Sequence, residues 1–197
     1  MSSNLDAIFH PRSIAIAGVS TSGRAGLLGG ASYLDAMIRC GFKGSLYPVN
    51  PKGGEVRGLT VYPRVRDIPG PVDYVISAIP ASGAIELMKD CIAKDVKAVH
   101  FFTSGFSELG KSEGVELEAR MLALAKQHGI RVVGPNCMGV YAPGSGVSFL
   151  SDLCAEAGPV GAICQSGGNA IYVAREAARR GVRFSKVVSY GNASDVN

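Results

Sequence analysis

The sequence predicts an α/β fold built around a parallel sheet. Short runs of β-branched residues alternate with longer segments of helical periodicity, which is typical of βαβ units. Of the 197 residues, 47% are hydrophobic and 18% are charged, so the chain is apolar enough to form a buried core. The 26 glycines follow no repeat, which indicates that they serve turns and close backbone contacts.

The first part of the chain contains five predicted strands with helices between them. The strands are expected at residues 13–17, 45–49, 74–78, 98–102 and 130–133. Apolar residues at helical spacing predict helices over residues 28–40, around 85–92 and over about 112–128. The turn from Gly18 to Gly26 joins the first strand to the first helix, and Gly41 ends that helix.

A second strand–turn–helix unit follows a change of pattern after Gly134. A strand is predicted at 158–164, a turn at 165–168, a helix at 169–180 and a further strand at 186–189. We therefore expect one domain over residues 1–143, a polar, glycine-rich linker over 144–157, and the start of a second domain over 158–197. A single βαβ unit falls short of the ~5 to 6 strands of an ordinary sheet. The chain is therefore expected to be part of a longer protein.

Composition excludes several classes of protein and site. No apolar run approaches the ~18 to 20 residues that span a bilayer, and the N-terminus lacks the features of a signal peptide, so we expect a soluble, cytoplasmic protein without a membrane partner. Five cysteines without a C-x-x-C pair predict neither a disulfide framework nor a metal site. They are Cys40, Cys91, Cys137, Cys154 and Cys164.

Positive charge is concentrated in the first third of the chain. Residues 1–66 contain eight Lys or Arg against three Asp or Glu, whereas the remainder carries a net charge of −1. This excess fits either a solvated basic surface or a site for a compact polyanion. Tryptophan is absent and no helix-turn-helix or finger spacing occurs, so nucleic acid is not the expected partner.

The first glycine turn is suited to phosphate, because a strand entering a helix through glycines directs backbone N–H groups to one point. Its spacing, G-x4-G-x2-G from Gly18 to Gly26, differs from the dinucleotide fingerprint, and Arg24 stands where a P-loop has its lysine. An NAD site normally has an acidic residue after the second strand. This chain has Lys52 there, which favours an additional phosphate, either the 2′-phosphate of NADP or the 3′-phosphate of coenzyme A (CoA).

Four segments in register resemble the NDP-forming acyl-CoA synthetases, a superfamily that includes the alpha subunit of succinyl-CoA synthetase. The segments are FHPRSIAIAGVS (9–20), PVNPKGG (48–54), GPNCMG (134–139) and GAICQSGG (161–168). The resemblance covers the whole chain. It implies a Rossmann-like CoA-binding domain followed by the beginning of a flavodoxin-like ligase domain, with ATP, ADP and Mg²⁺ bound by an ATP-grasp domain or beta subunit outside this chain.

The resemblance also implies which residues contact CoA. They lie in loops that follow successive strands: Gly18, Val19, Ser20, Thr21, Gly23, Lys52, Ile79, Pro80, Thr103, Ser104 and Gly105. Asn136 and Cys137 match the segment near the thioester-forming end of CoA, where the cysteine is expected to be an inert thiol rather than a nucleophile. Ser166, Gly167 and Gly168 match the helix N-terminus that cradles the family's phosphohistidine.

The histidines do not match that phosphohistidine. We expect His10 in the turn before the first strand, His100 in a buried strand and His128 at a helix end, with the reactive histidine beyond Asn197. The resemblance implies an enzyme that converts a carboxylic acid, CoA and ATP into acyl-CoA, ADP and phosphate, and this chain alone is expected to bind CoA without turnover. Two other interpretations are a non-enzymatic CoA-binding or nucleotide-sensing module and an NADP-dependent reductase. The latter is disfavoured because neither G-x-G-x-x-G nor Tyr-x-x-x-Lys is present.

Overall fold

The computed structural model describes residues 5–20 and 28–196. Helices in these ranges are α1 (Asp6–Phe9), α2 (Gly30–Cys40), α3 (Ala84–Ala93), α4 (Ser112–Gln127) and α5 (Gly167–Arg179). Strands are β1 (Ser13–Ala17), β2 (Ser45–Val49), β3 (Glu55–Val56), β4 (Leu59–Thr60), β5 (Tyr74–Ser77), β6 (Ala98–Phe101), β7 (Arg131–Val133), β8 (Gly139–Tyr141), β9 (Val160–Cys164) and β10 (Phe184–Ser189). None of these helices combines the length and apolarity needed to cross a lipid bilayer.

The larger sheet is parallel, with the strand order β2-β1-β5-β6-β7. Alternating residues of β1 enter two cores, as period-2 geometry requires. Ile14 and Ile16 pack with Leu34 of α2 on one face. The other face carries Ala15 and Ala17 together with buried residues of α3 and α4. This arrangement confirms the predicted α/β fold.

A three-stranded sheet follows, in which β10 lies between β8 and β9. The β9–β10 pair is parallel and the β8–β10 pair is antiparallel. The sequence analysis did not predict β8, because its three residues lie beside a glycine-rich stretch that is typical of loops. Within the segment predicted as a linker, Val147 and Phe149 are buried in the same core as α2. This segment therefore packs into the core that α2 also enters.

The predicted strands and long helices lie within a few residues of the observed ones. Besides β8, helix α1 and the β3–β4 hairpin were not predicted. Helix α1 has only four residues. The β3–β4 hairpin has two residues in each strand and turns through Arg57 and Gly58, both with positive φ. Elements this short lack the repeat of apolar residues on which prediction depends.

Candidate functional site

The carboxyl ends of the parallel strands place the predicted loops at one edge of the larger sheet. The chain passes from β1 to β2 in one direction and then returns to β5 on the other side, so the strand order reverses between β1 and β5. Open α/β sheets bind ligands in the crevice at such a point. Here Gly18 follows β1 with a φ of +93°, and a Cβ on it would lie 2.6 Å from the carbonyl oxygen of Ala78. Only glycine permits this close approach.

The amides at the start of the glycine turn are used within the fold. Gly18 N and Val19 N both donate to the carbonyl oxygen of Val49, at 2.9 and 3.2 Å. These bonds fix the turn to the end of β2. A phosphate at this turn would therefore depend on N–H groups further along the chain. Two of the predicted contact residues there, Thr21 and Gly23, lie outside the described residues.

The turn that carries Lys52 is held by a residue that the sequence analysis did not single out. Asn50 Oδ1 accepts a hydrogen bond from Lys52 N at 3.0 Å, and Asn50 Nδ2 donates to the carbonyl oxygen of Val19 at 2.9 Å. One side chain thus connects the loops after β1 and β2. The Asn-Pro pair is a recognised turn signal and could have identified Asn50. Lys52 itself is exposed and forms no ion pair with any described residue.

A cavity of about 390 Å³ opens at the reversal point. Its lining is mostly apolar. Gly83 and Ile79 pack closely there, since a Cβ on Gly83 would lie 2.8 Å from Ile79 Cδ1. Sequence reasoning missed this cavity because its lining comes from five separate segments. The lining residues are Ala17, Gly18, Val49, Pro51, Pro63, Arg64, Val65, Ile79, Gly83, Glu86, Leu87 and Asp90.

The loops after β5 and β6 are joined by a side chain. Thr103 Oγ1 donates to the carbonyl oxygen of Ile79 at 2.7 Å, and Gly105 N donates to Glu108 Oε1 at 2.5 Å. Partial burial raises the pKa of Glu108, but hydrogen bonds from Asn192 and from Gly105 and nearby amides outweigh it and hold that pKa below its usual range. The carboxylate is therefore ionised at neutral pH, and it makes this loop better suited to a neutral group than to a phosphate.

The loop after β7 combines an exposed amide side chain with a buried thiol. Asn136 is exposed and adopts a φ of +58°, after a cis Gly134–Pro135 peptide bond. Burial raises the pKa of Cys137 to about 12, so its sulfur is a neutral thiol at neutral pH. His100 Nε2 lies 3.0 Å from the Cys137 carbonyl oxygen and must be the donor, because a carbonyl can only accept.

The second glycine turn meets this loop. A Cβ on Gly167 would lie 2.7 Å from Met138 Cγ, so the N-terminus of α5 packs directly on the 134–139 loop. Ser166 caps the helix, since its Oγ accepts from Asn169 N at 3.2 Å. The first amides of a helix have no partner inside the helix, and Gly168 is exposed. The predicted thioester end and the predicted helix N-terminus are thus neighbours.

The three histidines occupy the predicted structural positions. His10 follows α1 and precedes β1, His100 lies in β6 with 1% exposure, and His128 ends α4. Burial lowers the pKa of His100 to about 4. No cluster of three or more His, Cys, Asp or Glu side chains suited to a metal ion occurs in the described ranges.

The strand order, the glycine turn and the cavity at the reversal point are typical of a Rossmann-like domain. A family model described as a CoA binding domain matches residues 12–143, and one described as a succinyl-CoA ligase like flavodoxin domain matches residues 157–197. The chain belongs to the family of CoA-binding domains. These matches confirm the resemblance that the sequence motifs indicated.

Several relatives align with nearly the whole chain. It is 35% identical to the acetate–CoA ligase [ADP-forming] I subunit alpha of Pyrococcus furiosus, covering 98% of this chain and 42% of that protein. It is 37% identical to acetate–CoA ligase [ADP-forming] II of Archaeoglobus fulgidus, covering 96% of this chain and 28% of that protein. The chain thus spans less than half the length of these relatives.

A solved structure of a synthetase has the same fold as this chain. The dinucleotide forming acetyl-coenzyme A synthetase 1 of Ca. Korarchaeum cryptofilum, in complex with phosphate and ADP, superposes with a TM-score of 0.89 at 32% identity. The match covers 98% of this chain and 40% of that protein. Both the parallel sheet and the second unit therefore follow the architecture of that synthetase.

Proposed function

We propose that this chain is the CoA-binding portion of an ADP-forming acyl-CoA synthetase. The observation that carries the proposal is the apolar cavity at the reversal point, placed between the glycine turn and the turn that carries Lys52, in a chain of the CoA-binding family. The relatives are named as ADP-forming ligases, and this supports an enzyme rather than a non-enzymatic CoA-binding module.

In this proposal the nucleotide end of CoA binds at the cavity. The apolar lining of the cavity would take the flat base, and Lys52 would face the 3′-phosphate as a point charge. NAD fits less well, because the turn after β2 has no carboxylate for the ribose: it carries Lys52, and the Asn50 side chain is already bonded to the Val19 carbonyl and the Lys52 amide.

The pantetheine arm would then extend across the loops after β5, β6 and β7. Ile79, Pro80, Thr103, Ser104 and Gly105 follow β5 and β6, and the Glu108 carboxylate beside Gly105 disfavours a second phosphate at this position. The thiol end would arrive at Asn136 and Cys137. The buried, protonated Cys137 forms part of the wall there rather than supplying a nucleophile.

The N-terminus of α5 supplies the second anion site of the proposal. Ser166, Gly167 and Gly168 would cradle the phosphoryl group of a histidine that this chain does not provide, next to the thiol end of CoA. In the complete reaction a carboxylic acid and ATP give acyl phosphate and ADP through that histidine. The CoA thiol then displaces phosphate to form the thioester. ATP and Mg²⁺ would bind to an ATP-grasp domain or beta subunit.

Calorimetry with the 197-residue chain tests the proposal. We expect CoA to bind more tightly than NADP, NAD or pantetheine, and equal or tighter binding of NAD would overturn it. Lys52→Ala should weaken CoA by about 1.5 to 3 kcal/mol, as expected for a charge-assisted hydrogen bond, and leave 3′-dephospho-CoA unchanged. Lys43→Ala is the control. Lys43 is also exposed, but it precedes β2 and therefore lies at the amino ends of the parallel strands, away from the cavity.

A further inference from the structure

Arg64 lies at the rim of the cavity with its guanidinium held in a fixed plane. Its Nη2 donates to Asp90 Oδ1 at 2.8 Å and its Nε donates to Asp90 Oδ2 at 3.1 Å. Asp90 projects from α3, and its side chain is only 6% exposed. A bidentate pair of this kind fixes the orientation of the planar group as well as its position.

Two carboxylates lie against the edge of the Arg64 guanidinium, and they also bond to Arg66 and Lys89. Glu86 Oε2 lies 3.6 Å from its Nη2, in addition to the two bonds to Asp90. Hydrogen bonding and charge from Asp90 raise the pKa of Arg64, so the guanidinium is permanently charged. A phosphate at this rim would meet both carboxylates at close range, whereas the faces of the guanidinium are not used by the bidentate pair.

The walls beside Arg64 are suited to a flat apolar group. Pro51, Val65 and Leu87 line the same cavity, and its volume of about 390 Å³ is sufficient for a purine ring. A guanidinium stacks on aromatic faces and is less strongly hydrated than an ammonium group. Arg64 thus adds a planar, polar group to a cavity that is lined mostly by apolar residues.

We propose that Arg64 stacks on the adenine base of CoA and is a specificity-determining residue of this site. The inference rests on the proposed function, because it needs the nucleotide end of CoA in the cavity. It divides the recognition of that end between two cations: Lys52 for the 3′-phosphate and Arg64 for the base. The carboxylate of Asp90 acts through Arg64, as a positioning residue.

Two substitutions of Arg64 separate stacking from charge. Arg64→Ala removes both, whereas Arg64→Lys keeps the charge but loses the planar face. We expect Arg64→Ala to weaken CoA binding by roughly three- to tenfold, the range for a cation on an aromatic ring partly shielded from water, and Arg64→Lys to recover only part of that loss, because an ammonium group has no planar face to stack. Arg66→Ala is the matched control, because Arg66 also bonds to Asp90 yet does not line the cavity. It should leave CoA affinity unchanged.

The ligand series identifies the part of CoA that Arg64 contacts. CoA and 3′-dephospho-CoA should lose the same factor on Arg64→Ala, and 4′-phosphopantetheine, which has no base, should lose none. Fluorescent 1,N6-etheno-CoA gives a direct signal of stacking, and its change in emission on binding should shrink in both Arg64 variants but persist in Arg66→Ala. Thermal melting without ligand verifies that each variant is folded.

Other results would overturn the inference. Full CoA affinity in Arg64→Lys would show that Arg64 acts through its charge alone. If Arg64→Ala weakened CoA but not 3′-dephospho-CoA, Arg64 would contact the 3′-phosphate rather than the base. Wild-type affinity in Arg64→Ala would remove Arg64 from the site. In each case the unaltered chain still binds CoA, so the proposed function stands. Failure of the unaltered chain to bind CoA would instead refute the proposed function.

Discussion

The β1–α2 and β9–α5 units follow the same local pattern, a strand leading through a glycine-containing turn into a helix, but they have different surroundings. Strand β1 lies between β2 and β5, and all five of its residues are buried. Strand β9 lies at the edge of its sheet, and Ile163 is 76% exposed. The comparison shows that the local pattern specifies the path of the chain, whereas neighbouring strands determine whether it is buried.

The glycines at the starts of α2 and α5 also differ in how closely the surrounding backbone packs against them. Gly30 at the start of α2 is pressed against the carbonyl group of Gly18, and the amides of Gly18 and Val19 are bonded to Val49. At the start of α5, Gly168 has no close backbone neighbour. The described start of the first turn is therefore a packed junction, whereas the start of α5 is packed at Gly167 and open at Gly168.

The largest expected difference between the two units concerns their central isoleucines. Ile16→Ala in β1 removes a side chain with 0% exposure and should destabilise the chain by about 2 to 5 kcal/mol, the range for buried isoleucine. Ile163→Ala should change stability by less than about 0.5 kcal/mol, as is usual at the surface. Urea unfolding of both variants measures this. Similar midpoints for the two would show that β9 is as well packed as β1.

Acid should destabilise the larger sheet through His100, which is buried in β6. Its pKa is lowered by burial from 6.5 to about 4, so below pH 6.5 the unfolded chain takes up a proton that the folded chain does not. Stability should therefore fall as the pH falls, by about 3 kcal/mol in total from this residue once pH 4 is reached. Above pH 6.5 the residue contributes no pH dependence.

A pair of histidine variants isolates this effect from the titration of carboxylates. His100→Gln should reduce the loss of stability between pH 6.5 and pH 4, measured by urea unfolding at each pH. His128→Gln, at the exposed end of α4, should keep the loss of the unaltered chain. An unchanged slope in His100→Gln would mean that the imidazole is protonated in the folded state without cost.

Sequence reasoning was sufficient wherever a periodic pattern or a motif determined local structure. It predicted the strands of the larger sheet, the long helices and the location of the predicted loops at one sheet edge. It could not find the cavity or Asp90, because residues from β1 to α3 meet there only through the tertiary fold. It also missed β8, which is stabilised by pairing with β10, 45 or more residues further along the chain.

Effects smaller than those at Ile16 and His100 are expected from one glycine at the start of each helix. A Cβ on Gly30 would lie 2.5 Å from Gly18 O and 2.7 Å from Val19 N, and neither backbone group can move without displacing the turn. Gly30→Ala should therefore destabilise the chain by about 1 to 3 kcal/mol, as overpacking does. A Cβ on Gly168 would meet only Ser166 Oγ, at 3.6 Å, which is an ordinary contact.

Gly168→Ala should consequently act in the opposite direction. Alanine restricts the unfolded chain more than glycine does, and it fits a helix at this position, so the substitution should stabilise by up to about 1 kcal/mol. The backbone N–H is retained, so the anion-binding capacity proposed for the α5 N-terminus should be unaffected. Urea midpoints that move in opposite directions for the two variants would support the contrast between the packed position of Gly30 and the open position of Gly168. Destabilisation of the same size in both would show that the second turn is as closely packed as the first.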